Sequence, residues 1–160
     1  MHISLSRISN QLAWVEEQLL KVGLGLITCV VVTQVISRNL GYYIPWLGDV
    51  AVLSFTWMAF IGAALAIHNG SDFIIDVWGD KRIYWKRGLY IIGVVGTVIF
   101  IIFLFWQGIK WTLQVRGRVS GAGEISTVYY SISVPIGSLL SLFHLIETTV
   151  GWIREEKKRA

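Results

Sequence analysis

The chain has 160 residues, of which 54% are apolar and 15% charged, with a formal net charge of +4. Soluble domains carry about 25% charged residues, so this composition, with a mean hydropathy of +0.62, excludes an ordinary water-soluble globule. A single cysteine, Cys29, excludes an internal disulfide and a thiolate metal cage within one chain.

The first element in chain order is an amphipathic one. Leu5, Ile8, Leu12, Val15 and Leu19 recur at three- and four-residue steps, with Arg7, Asn10, Gln11 and Glu17 off that stripe. This pattern predicts an interfacial or protein-facing helix that runs on into the first span. Residues 22–37 then lack any Asp, Glu, Lys or Arg, and Leu19 and Leu20 extend the run past Lys21, whose long stem can snorkel to the headgroups. The run is long, follows Glu16 and Glu17 and has no small-residue exit, so a retained span is expected rather than a cleavable signal peptide.

Residues 50–71, 88–109 and 125–146 are likewise free of charge, and the last two runs hold 22 residues each. At 1.5 Å per residue that is roughly 33 Å, enough to cross a hydrocarbon core of about 30 Å. A helix in lipid satisfies its own backbone, whereas a soluble chain would need a partner face for every one of these runs. The expected fold is an all-α integral membrane protein: one four-helix membrane domain over residues 1–160, with spans near 19–37, 47–67, 88–109 and 125–146.

Between the second and third spans a short amphipathic segment is expected. Phe73, Ile74, Val77 and Trp78 form its apolar edge and Asp72, Asp76 and Asp80 its acidic one, with Asn69 capping the turn and Gly70 supplying the bend. The loop over residues 110–126 is cationic and glycine-bearing, and mobility is expected at residues 120–123. Placing both chain ends in the cytoplasm puts ten basic residues inside and four outside, the arrangement that the positive-inside rule favours. Trp14, Trp78, Trp85 and Trp152 then mark the inner interface and Trp46, Trp106 and Trp111 the outer one. Trp57 alone falls halfway along a span, where its N–H wants a partner.

Several constellations could carry chemistry. His68, Asp72 and Asp76 stand at i, i+4 and i+8, a spacing that permits a metal site. Gly70 and Ser71 interrupt that helix face, however, so a helix cap with an acidic stripe is the preferred reading. His68 and His144 both fall towards the cytoplasmic ends of their helices and could ligate a haem iron between them, as in a bis-histidine cytochrome anchor of a redox complex. The plainer reading is two interfacial histidines wetted by headgroup water. No carboxylate falls within a span away from its ends, so an independent ion-coupled carrier is not expected. Only Pro135 interrupts a span, and no cofactor motif is present. What the spans do offer is packing surface: Ala59 with Ala63 and Gly62 with Ala66 on the second helix, Ser133, Gly137 and Ser141 on the fourth.

The stretch "TQVISRNLGYYIPW", continuing into "WLGDVAVLSFTWMAFIGAALAIHNGSDFIIDV", resembles the small membrane subunit (Q-type) of tripartite ATP-independent periplasmic, or TRAP, transporters. The resemblance rests on Arg38, Trp46, Asp49, Trp57, Gly62, Ala63, Ala64, Gly70 and Asp76, and near the end on Tyr129, Pro135 and Gly137 in "STVYYSISVPIG". Gly48, Val52 and Asp72 stand where that family has an acidic, a basic and a histidine position. The resemblance implies a non-catalytic scaffold that braces a larger (M-type) sodium-coupled elevator subunit in the inner membrane of a bacterium or archaeon. It implies uptake of an organic acid, such as a dicarboxylate or sialic acid, delivered by an extracytoplasmic substrate-binding protein. Arg38, Trp46, Asp49, Trp57, Gly62, Ala63, Ala66, Asp72, Asp76, Tyr129, Pro135 and Gly137 are then candidate partner-interface or structural positions. Arg116 and Arg118, on the cationic outer loop, are the candidate contacts to the binding protein.

Overall fold

The computed structural model describes residues 2–70, 83–120 and 125–159. The segment with Asp72 and Asp76 therefore lies outside the described residues. Among the described residues the helices are, in order, α1 (His2–Asn39), α2 (Pro45–Asn69), α3 (Ile83–Gln114), α4 (Val128–Ser131) and α5 (Ser133–Arg159). Four stretches are long and apolar enough to cross a membrane: Arg7–Asn39, Pro45–Asn69, Ile91–Gln114 and Val128–Gly151. The last combines α4 and α5, which part at Ile132, three residues before Pro135. The all-α, four-span expectation holds.

The boundaries have local causes. At the end of α1 the Tyr42 amide bonds to the Ser37 carbonyl at 2.9 Å and the Gly41 amide to Arg38 at 3.2 Å, with Gly41 at φ 81°. That is a Schellman stop, and only glycine reaches its left-handed conformation without strain. Pro45 then opens α2 from the first helical turn, where its missing N–H costs nothing. The extension and first span are one unbroken helix of 38 residues, with no joint at Lys21.

Packing runs α1 on α2, α2 on α5 and α3 on α5. A Cβ added to Gly48 would lie 3.4 Å from the Gln34 side chain, one on Gly23 2.8 Å from Met58, and one on Gly62 3.8 Å from Leu20. As one number rises the other falls, so α1 and α2 are antiparallel. The tightest crossing is α2 on α5, where a Cβ on Gly137 would sit 2.5 Å from Phe60 Cβ and 3.2 Å from its carbonyl. We call the face with the chain ends the terminal side and that of the 40–44 and 115–127 turns the loop side.

The interior inverts the rule for soluble proteins. Ser9, Glu16, Asp49, Ser131, Ser133, Ser138, Ser141 and His144 are buried, while Trp14, Leu24, Phe55, Ile92, Ile99 and Phe103 point outward. Lipid exerts no hydrophobic drive on large apolar groups, so small and polar faces are what bring helices together. Hydroxyls within the spans bond one turn back, as Ser138 does to the Val134 carbonyl at 2.7 Å and Thr97 to Gly93 at 2.9 Å.

Of the two readings of the first amphipathic stretch, interfacial or protein-facing, the second does not hold within this chain. Its apolar stripe is not turned to protein within this chain: Ile8, Val15 and Leu19 are exposed, and Ser9, Ala13 and Glu16 face inward. The loop side holds a second difference. Ser120, expected to be mobile, is held by its amide on the Ile125 carbonyl at 2.8 Å and by its hydroxyl on Asp49.

Candidate functional site

Three helices meet at the terminal side in a polar cluster. Ser9 and Glu16 stand seven residues apart, two turns along one face of α1. His68 comes from the last turn of α2, and His144 and Glu147 stand three residues apart on α5. The Ser9 hydroxyl lies 3.2 Å from Nδ1 of His68, 3.2 Å from Nδ1 of His144 and 3.3 Å from Oε2 of Glu147. The other ring nitrogen of His144, Nε2, faces both oxygens of Glu16 at 3.1 and 3.2 Å. The two imidazole centroids are 4.9 Å apart with planes tilted by 58°.

His144 is 0% exposed and Glu16 2%, so the histidine is not wetted by headgroup water as the sequence suggested. The reading that no carboxylate falls within a span away from its ends is also corrected, because the first span runs from Arg7 to Asn39 and contains Glu16. Glu16 seemed to precede the first span, but the unbroken α1 carries it inward onto His144. The rings leave no room for a porphyrin: Ser9 bridges them, and Nε2 of His144 is held by Glu16. Among the described residues, no group of three or more His, Cys, Asp or Glu is arranged to hold a metal ion.

On the loop side, Asp49 is buried at 8% exposure in the first turns of α2. Its Oδ1 accepts the Ser120 hydroxyl, its carbonyl accepts the Tyr130 hydroxyl at 3.2 Å, and its Oδ2 has no partner among the described residues. Asp49 thereby ties α2 to the turn before α4. Farther along α2, the Trp57 indole donates to the Tyr129 carbonyl at 3.1 Å, and the Ser133 hydroxyl donates to Tyr130 at 2.6 Å. Both satisfy carbonyls where the helix breaks at Ile132.

The other residues singled out in the sequence divide by exposure. Pro135 and Gly137 are buried inside the bundle, and Gly62 is half-buried against Leu20. Arg38, Trp46, Ala59, Ala63, Ala66 and Tyr129 are exposed on this chain. Arg116 and Arg118 are exposed on either side of Gly117, whose φ of 80° shapes the loop-side turn. Ser9, Glu16 and Glu147 were missed by sequence reasoning. The signal was present in the small and polar face Ser9, Ala13, Glu16, which matches Ser133, Gly137, Ser141 and His144 on α5.

Comparison with known proteins agrees with this architecture. The chain is similar to the C4-dicarboxylate TRAP transporter small permease protein DctQ of Rhodobacter capsulatus, 24% identical over 117 residues, which cover 71% of this chain and 52% of that protein. The chain thus spans about half the length of that curated relative. The family model for the DctQ component of tripartite ATP-independent periplasmic transporters matches residues 27–155. That match covers well over half of the chain and takes in the second, third and fourth spans whole and the end of the first, so this multi-pass membrane protein belongs to the DctQ family of TRAP transporter small subunits.

Proposed function

We propose that the chain is a static, non-catalytic scaffold in a TRAP-type secondary transporter. It braces a larger sodium-coupled elevator subunit for organic-acid uptake and does no covalent chemistry itself. The C4-dicarboxylate named for the Rhodobacter capsulatus relative makes a small dicarboxylate the substrate class to test first. The complex resides in the inner membrane with the terminal side in the cytoplasm, and a substrate-binding protein docks on the loop side.

One observation carries this reading. α1, α2 and α3 run unbroken for 38, 25 and 32 residues, and the one break within a span among the described residues, at Ile132, sits at the loop-side end of its span. Carriers bind substrate at the midplane between broken helices, and these helices are built as rods. The buried Glu16 and Asp49 are engaged with His144 and Ser120. Outside the bundle, Ala59, Ala63 and Ala66 leave a small-residue ridge on α2 that no helix among the described residues covers. Small residues let a second protein's helix approach closely in lipid, which fits a partner along α2.

The test is purification of the tagged chain in mild detergent from its native cell. A much larger multi-span protein should elute with it in fixed ratio. Elution of the chain alone, from cells that take up the organic acid, would overturn the scaffold reading.

A further inference from the structure

Between α3 and α4 the chain turns back on itself as a hook on the loop side. Gly117, at φ 80°, and the Arg118 amide on the Val115 carbonyl at 3.0 Å set its first turn. The two arms meet where Val119 bridges antiparallel to Ser126. The Ser120 amide bonds to the Ile125 carbonyl at 2.8 Å, and the Thr127 amide to the Arg118 carbonyl at 3.0 Å. A two-stranded element of this kind is marginally stable by itself in water, so it needs anchors in the bundle. Val115, buried at its base, is the apolar one. The polar one is Asp49 on α2. Its Oδ1 accepts the Ser120 hydroxyl from the outgoing arm, and its carbonyl accepts the Tyr130 hydroxyl, just past the returning arm, at 3.2 Å.

We propose that Asp49 and Ser120 form a clasp that presets the loop-side hook, holding Arg116 and Arg118 in the arrangement that an acidic surface of the substrate-binding protein meets. The binding protein as partner rests on the scaffold reading above, whereas the clasp is a property of this chain alone. Both arginines are exposed, two residues apart around Gly117, and the Arg118 carbonyl is part of the pairing between the arms. Their separation is therefore tied to the pairing that the clasp secures. Two guanidinium groups already held in place can meet two carboxylates without the entropic cost of ordering the loop on contact.

Burial suits Asp49 to this work. It is 8% exposed, and a hydroxyl donated to a carboxyl oxygen away from water makes a stronger bond than the same pair in solvent. Because Oδ2 has no partner among the described residues, the Ser120 bond is the one hold that this side chain has there. Tyr130 bonds to the Asp49 backbone and not to its side chain, so α4 keeps its tie to α2 when the clasp is cut.

The test uses the complete transporter in sealed vesicles: this chain, the larger membrane subunit and the binding protein. Ser120→Ala removes the hydroxyl and keeps the backbone amide. Exchange of the amides at positions 120 and 127, which report the pairing of the arms, should quicken several-fold while terminal-side amides are unchanged. The apparent KM for the binding protein should rise several-fold, with the maximal uptake rate and copurification with the larger subunit unaltered. Ser120→Thr keeps a hydroxyl and should restore both readouts. Asp49→Ala should raise KM by the same factor, and the double variant by no more than either alone, because each variant breaks the same bond. Unchanged exchange in Ser120→Ala would overturn the clasp, and faster exchange with an unchanged KM would overturn its part in docking. Effects that multiply in the double variant would show two residues acting separately and would overturn the pair. Failure of the scaffold reading looks different, since the parent chain itself would then not elute with a larger subunit.

Discussion

His144 Nε2 lies 3.1 Å from the Glu16 carboxylate, across 128 residues of sequence, with neither side chain open to solvent. This contact joins the first and last long helices of the chain at the terminal side. Removing one member of such a buried pair leaves the other without its partner. Glu16→Ala should destabilise the protein by about 3 kcal/mol or more. Glu16→Gln keeps an acceptor for Nε2 and should cost about 1 kcal/mol. Denaturant unfolding in mild detergent, followed by tryptophan fluorescence, checks both values. Equal costs would show that the contact is not what joins the helices.

The closest helix crossing predicts a sharp contrast among glycines. Gly137→Ala places its Cβ 2.5 Å from Phe60 Cβ and must push α2 away from α5. A loss of about 1–3 kcal/mol is expected from overpacking. Gly96→Ala on α3 meets nothing within 4 Å and should be neutral or stabilising by up to about 1 kcal/mol, through helix propensity. Thermal aggregation temperatures of the two variants give the comparison, and a harmless Gly137→Ala would contradict the crossing.

Trp57 is large enough to anchor α2 by packing alone, so its hydrogen bond needs a separate probe. Trp57→Phe keeps an aromatic ring and removes the N–H that satisfies the Tyr129 carbonyl. The cost should be about 1 kcal/mol. Amide exchange around Ile132 should rise in the variant while the terminal side is unchanged. An unaltered exchange pattern would mean that the carbonyl needs no indole.

The four spans were legible in the sequence because charge-free runs report membrane crossing directly. Trp57 was also legible: an indole in mid-span demands an acceptor, and Tyr129 supplies one. The terminal-side cluster was not legible as a unit. Its members come from three helices, and Ser9 meets Glu147 across 138 residues of sequence. A preference for apolar faces as the buried ones hid it further. Ile8, Val15 and Leu19 drew the eye, yet lipid welcomes them and leaves Ser9, Ala13 and Glu16 to make the helix contacts. The position of Asp49 was legible but its partner Ser120 was not, because a loop partner leaves no periodic signal.

Arg116 and Arg118 are exposed beside the loop-side turn, where an acidic binding protein could be steered. Reversing both to Glu should raise the apparent KM of binding-protein-dependent uptake several-fold, and added salt should narrow the difference from the parent protein. An unchanged KM at low salt would remove these arginines from the docking surface.

The most direct test is organic-acid uptake by sealed vesicles under an inward sodium gradient, with each subunit omitted in turn. Accumulation should require this chain, the larger membrane subunit and the binding protein together, and vesicles holding this chain alone should take up nothing. Uptake by this chain alone, or undiminished uptake in its absence, would contradict the scaffold role.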